Sequence, residues 1–70
     1  LGQAGTLELI IDVSGIVILT NGGKPIAVYG EDPDSKAIFR SEVGDNDFQD
    51  YLNFVDKNLR EPKVRTLKSP

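Results

Sequence analysis

The chain has no cysteine and no histidine among its 70 residues. Without cysteine there is no disulfide, thiol nucleophile, iron–sulfur cluster or thiolate zinc site. Without histidine the commonest general base and the commonest transition-metal ligand are missing. Methionine and tryptophan are absent as well. The lack of methionine, with Leu1 in first place, reads as a processed chain or a piece of a longer one. No apolar run approaches the roughly 18 residues needed to cross a bilayer. The longest, Ile16 to Leu19, has only a strand's length. No basic start leads into an apolar stretch, so no signal peptide is visible. The expectation is a cytoplasmic protein with no membrane segment and no cofactor.

What remains is a short acidic chain with its charge unevenly placed. The net charge is −3. Residues 1–50 carry three basic residues (Lys24, Lys36, Arg40) against nine acidic ones. Residues 51–70 carry five basic residues (Lys57, Arg60, Lys63, Arg65, Lys68) against Asp56 and Glu61. An acidic body repels nucleic acid and anionic membrane, so neither is the expected partner. The basic end reads as a solvated tail. A domain near 60 residues buries only about 60% of the surface its unfolded chain exposes. With disulfides excluded and thiolate or imidazole metal sites with them, a partner chain is the remaining stabiliser.

The patterning predicts an α+β fold: a small antiparallel β-meander of three or four strands packed with one C-terminal α-helix. Residues 1–5 read as a loose segment, 6–60 as the domain and 61–70 as a basic tail. From Thr6 to Val13 apolar residues recur at period two, which is a strand signal. Ser14-Gly15 suits a two-residue hairpin turn. Ile16 to Thr20 is a continuous β-branched run, which suggests a strand covered on both faces. Asn21-Gly22 is a strong turn signal because both residues tolerate positive φ, and Gly23 adds slack for a bulge. Pro25 opens a third strand ending at Tyr29, since a strand's first residue tolerates a missing N–H. Ala37 to Arg40 is a short fourth strand. Phe48, Leu52, Val55 and Leu59 follow at helical spacing, with Tyr51 beside them. Asp45 or Asn46 is placed to cap this helix. Asp47 and Asp50 near its start and Lys57 and Arg60 near its end suit the helix dipole. Pro62 stops it.

One helix of about 13 residues is roughly 20 Å long and covers one face of such a sheet. Leu7, Leu9, Ile11 and Val13 make a natural face for it. Strand 2 is apolar on both sides, so a second apolar face is left over. Ile10, Val17, Leu19, Ala27 and Tyr29 are its expected residues, with Ile16 and Ile18 replacing Val17 and Leu19 in the alternative register. A contiguous exposed apolar patch marks an interaction surface. Burying a Val or Ile side chain contributes roughly 1.5–3 kcal/mol, so covering the patch is significant for a small domain.

Motifs of chemistry do not survive inspection. Gly22-Gly23-Lys24 follows a strand as a phosphate loop would, but Pro25 and an extended segment follow where a hydroxyl residue and a helix are needed. Asp45, Asp47 and Asp50 resemble the start of a calcium loop. Counted from Asp45, however, the sixth residue is Asp50 where glycine is required, and the twelfth is Asp56 where glutamate is required. Asp32 and Asp34 belong to a turn. Catalysis by a carboxylate pair needs a cleft that shifts one pKa, and so short a chain leaves little room for one. Tyr29 and Tyr51 are too few for a base-stacking platform. No catalytic residue, metal ligand or small-molecule substrate is expected.

The stretch from Glu8 to Val13, followed by Ile16-Val17-Ile18-Leu19-Thr20-Asn21-Gly22-Gly23-Lys24-Pro25-Ile26-Ala27-Val28, resembles the core of prevent-host-death (Phd/YefM-type) antitoxins over about 20 residues. That resemblance implies an amino-terminal part that dimerises and binds operator DNA, and a carboxy-terminal part that wraps a toxin. Gly22, Lys24 and Pro25 would be its hairpin residues, and Phe48 to Leu59 the toxin-facing helix. The basic start of such proteins is not present here, and residues 6–13 read as a strand where that family has a helix. Asp12 to Gly15 also looks like the Asp-x-x-Gly hairpin of roadblock-like sensor sheets, which are longer and carry further helices. The functional expectation is a non-catalytic protein–protein interaction module, a subunit of a homo- or hetero-oligomeric assembly. The alternative is an antitoxin that binds DNA and a toxin partner.

Overall fold

The computed structural model describes residues 6–67. The segment expected to be loose, residues 1–5, lies outside the described residues, as do Lys68, Ser69 and Pro70. Five strands and one helix follow in the order β1 (Leu7–Ile11), β2 (Val17–Asn21), β3 (Lys24–Glu31), β4 (Ile38–Glu42), α1 (Phe48–Asn58) and β5 (Lys63–Thr66). They form an α+β fold with one antiparallel sheet, ordered β4-β3-β2-β1-β5. The first four strands are a meander. The chain then crosses the sheet as α1 and returns on the far edge as β5.

The helix is therefore not C-terminal, and the sheet has five strands rather than three or four. Residues expected to be a basic tail supply the fifth. α1 already ends at Asn58, with Leu59 extended at ψ 137°, so Pro62 is not what stops it. The four residues after Pro62 alternate Lys63, Val64, Arg65, Thr66 with two β-branched members. β1 would otherwise leave its backbone unpaired on that side, and β5 pairs with it from Glu8–Thr66 to Ile11–Lys63.

Local chemistry sets each connection. Gly22 and Gly23 form the β2–β3 turn at φ 63° and 87°, the positive pair that suits the twist of a two-residue hairpin. Asn21 sits in the strand and pairs with Lys24. The bulge falls between Leu19 and Thr20 in the β2–β3 register and leaves Ile26 as the extra residue. The β1–β2 loop is a three-residue loop, not the two-residue turn expected at Ser14-Gly15. Gly15 N donates to Asp12 O at 3.0 Å, Gly15 takes φ 97°, and Asp12 N closes the loop on Ile16 O at 2.9 Å.

The core lies between α1 and the sheet, beneath β3 and β4. It holds Ile16, Ile18, Val28, Phe39, Phe48 and Val55, with Ile10, Tyr51, Leu52, Phe54 and Leu59 packed around them. Phe39 is its aromatic centre. Tyr51 stacks on it with ring centroids 4.8 Å apart, and Phe54 meets it edge-on at 5.7 Å. The ring has room only because its ladder partner on β3 is Gly30. The helix face expected from Phe48, Leu52, Val55 and Leu59 is the face that packs. Its N-cap is Asp47, which makes no side-chain capping bond. Asp45, expected as a cap, serves the end of β4 instead: its Oδ2 accepts from Glu42 N at 2.8 Å and from the Ser41 hydroxyl at 3.1 Å. These bonds hold the Asp45 carboxyl below the usual range against the opposing effect of burial.

Candidate functional site

The ladder registers place the outer side chains in two rows across the sheet. One row runs Lys63, Ile11, Val17, Tyr29, Arg40. The next runs Arg65, Leu9, Leu19, Ala27, Glu42. Cross-strand partners share a face, so each row is three apolar residues with a charged residue at either end. Leu7 extends the apolar block beside Asn21, and Glu31 and Ile38 border it beyond Tyr29 and Arg40. The helix lies on the opposite face. No described element covers these rows. Leu9, Val17, Leu19 and Ala27 are half-buried, while Tyr29 is 46% exposed and Ile11 39%. A shallow depression of about 230 Å³ lies among Val17, Leu19, Ala27, Tyr29, Arg40 and Glu42.

Four of the five expected interface residues, Val17, Leu19, Ala27 and Tyr29, lie together on this helix-free face. Ile10 does not. It pairs with Ile18 and points to the core, while Leu7, Leu9 and Ile11, expected under the helix, occupy the outer face. The cause is parity. A two-residue turn at Ser14-Gly15 would pair Ile10 with Leu19. The observed three-residue loop pairs Ile10 with Ile18 and Leu9 with Leu19, and a one-residue shift moves every side chain to the other face. Val13, expected on the same face as Leu7, is a loop residue at 59% exposure. Residues missed by sequence reasoning are Leu9 and Ile11 in the apolar block and Arg40, Glu42, Lys63 and Arg65 at its margins. The loop length is the signal that would have found the first two.

The face is also less acidic than the rest of the chain. Its charged residues, Lys24, Glu31, Arg40, Glu42, Lys63 and Arg65, sum to +2, against −3 for the chain.

The one deeply buried acid is structural. Asp12 is 3% exposed, and both of its carboxylate oxygens are engaged. Oδ1 accepts from Arg60 N at 2.9 Å and Glu61 N at 2.8 Å. Oδ2 accepts from Ser14 N at 3.0 Å and from the Ser14 hydroxyl. Burial disfavours the charged form, but the Ser14 hydroxyl and the backbone N–H groups of Arg60, Ser14 and Glu61 outweigh it and hold the pKa at about 2. Such a carboxylate is a poor proton acceptor at neutral pH. It ties the β1–β2 loop to the segment between α1 and β5. Asp32 likewise closes a turn, its Oδ1 accepting from Asp34 N at 2.9 Å. Gly22, Lys24 and Pro25 lie at the β2–β3 hairpin, where Lys24 borders the outer face as the ladder partner of Asn21. Among the described residues no three His, Cys, Asp or Glu side chains converge to hold a metal ion. Among those residues no helix is long and apolar enough to cross a membrane. No family model matches the chain, and neither a curated protein nor a solved structure matches it.

Proposed function

We propose that this chain is a non-catalytic protein–protein interaction module, a subunit of a homo- or hetero-oligomeric assembly that docks through its helix-free sheet face. The observation that carries the reading is the pair of ladder rows in which Ile11, Val17, Tyr29 and Leu9, Leu19, Ala27 form one apolar block between charged margins, covered by no described element.

The occupant is a second copy of the chain, packed sheet on sheet. Among the described residues the face is five strands wide and marked by a shallow depression, so it complements another sheet better than it does a helix or a peptide. Five strands at about 4.8 Å spacing and about 17 Å length give roughly 400 Å² in projection per copy. Two corrugated faces of that extent reach the order of 1,000 Å² of accessible surface, the lower bound for a specific interface. Charge favours the same arrangement. Two molecules of like net charge repel less through a face less acidic than the rest, and this one leaves the Asp-rich loops and helix pointing outward.

Replacing Leu19 with aspartate at the centre of the block tests this. Light scattering is expected to give a dimer mass for the native chain and a monomer mass for Leu19→Asp, with the dissociation constant raised about thirtyfold or more. Far-UV circular dichroism is expected to be unchanged, because the side chain faces away from the core. A native chain that stays monomeric at millimolar concentration would sink the proposal of self-association.

A further inference from the structure

The two edges of the sheet are finished differently. On β4, Val43 N donates to Ile26 O at 3.0 Å, so odd-numbered residues bond β3 and Ile38, Arg40 and Glu42 turn their backbone groups outward. Asp45 then closes the Glu42 position. Its side chain takes the Glu42 N–H at 2.8 Å, and its own N–H donates to the Glu42 carbonyl at 3.0 Å. On β5, Leu67 N donates to Leu7 O at 2.9 Å, which directs residues 63, 65 and 67 to β1 and leaves the backbone groups of Val64 and Thr66 on the open side. No described residue bonds them. All four residues of β5 are exposed, and the backbone of α1 approaches β3 and β4 rather than β5. A depression of about 420 Å³ beside this strand is lined in part by Ile11, Val13 and Val64.

The charges on β5 select what can pair there. Lys63 and Arg65 project on the outer face, and their ladder neighbours on β1 are Ile11 and Leu9, so neither has an acidic cross-strand partner. A sixth strand would place its own outer-face side chains directly beside them. A second β5 would set Lys63 and Arg65 against the same cations, and like charges across a ladder destabilise it. Acidic side chains would be stabilised there, and apolar ones would lie beside Val64 on the other face.

We propose that the β5 edge accepts an extended acidic segment of a partner protein as a sixth strand, with acidic residues alternating with apolar ones. Main-chain bonds to Val64 and Thr66 provide adhesion, and Lys63 and Arg65 provide selectivity. This goes beyond the sheet-face reading and stands without it.

The test is a nitrogen-15 NMR titration of the whole chain with two blocked pentapeptides at millimolar concentration and low salt: Glu-Val-Glu-Val-Glu, and its lysine counterpart Lys-Val-Lys-Val-Lys. The glutamate peptide is expected to shift the Val64 and Thr66 amides and slow their hydrogen exchange, and the lysine peptide to leave them alone. Arg65→Glu is expected to weaken the glutamate peptide about fivefold or more. Should that variant fold poorly, salt added to the native chain is expected to reduce the same response. The proposal is overturned if the glutamate peptide leaves both amides unchanged, if the two peptides act alike, or if the response falls on Ile38 and Arg40 instead. Oligomer mass is read separately by scattering, so failure here leaves the sheet-face reading intact.

Discussion

Gly30 is a position where one methyl group should be felt through the whole core. A Cβ built there would stand 2.8 Å from Phe39 Cζ and 3.2 Å from both Phe39 Cε2 and Ile16 Cγ1. The first distance is inside van der Waals contact, so something must move. A ring tip ordinarily swings aside, but Phe39 is stacked on Tyr51 and met edge-on by Phe54, and it is 7% exposed. Overpacking of this kind costs about 1–3 kcal/mol. Alanine restricts the unfolded chain more than glycine does, which offsets about 0.5–1 kcal/mol. The net expectation for Gly30→Ala is a loss of about 1–2 kcal/mol, or a fall in Tm of roughly 5–15 °C for a domain of this size. Thermal and urea unfolding by circular dichroism, at one fixed protein concentration, would measure it. Phe39→Leu removes the atoms in conflict, so the double variant should be more stable than the sum of the single changes predicts. Gly30→Ala at native stability or above, or strict additivity in the double variant, would refute the reasoning.

Three further outcomes follow from the buried residues. Asp12 titrates near 2 when folded against an ordinary 3.8, so its contribution is complete above about pH 4 and is lost as pH falls toward 2. Urea midpoints should therefore drop across that interval. Asp12→Asn, which sets an amide donor against the donors of Ser14 or of Arg60 and Glu61, should lower stability at neutral pH and flatten the acid dependence. Val55 is 1% exposed beneath the sheet, and Val55→Ala should cost about 2 kcal/mol in equilibrium unfolding, from lost burial and the cavity left behind.

The helix was legible because four apolar residues at spacings of four, three and four leave little choice of period, and Phe48 and Val55 are buried as that pattern requires. The hairpins were legible from Gly15, Gly22 and Gly23, whose backbones all take positive φ. The face of β1 was not legible. Leu7, Leu9, Ile10 and Ile11 are apolar on both sides of the strand, so composition does not choose a side, and the loop from Asp12 to Ile16 decides it. Assigning the richer side to the helix failed for a second reason: the backbone of α1 approaches β3 and β4, and β1 reaches the core beneath it through Ile10 alone among its apolar residues. β5 was hidden because, exposed along its whole length, it holds a single large apolar residue, Val64, and its basic residues read as a tail. Asp12 read as a polar residue near the end of the first strand, opening an Asp-x-x-Gly hairpin. Its bonds to Arg60 and Glu61 join parts of the chain 48 and 49 residues apart, which no local pattern announces.

An isotope-filtered NMR experiment on an equal mixture of labelled and unlabelled chain reads the docking face directly. Contacts between copies should appear at Val17, Leu19, Ala27 and Tyr29, with Val55 and Phe48 silent. Contacts gathered on the helix side, or none between copies at concentrations where each molecule is folded, would contradict the account.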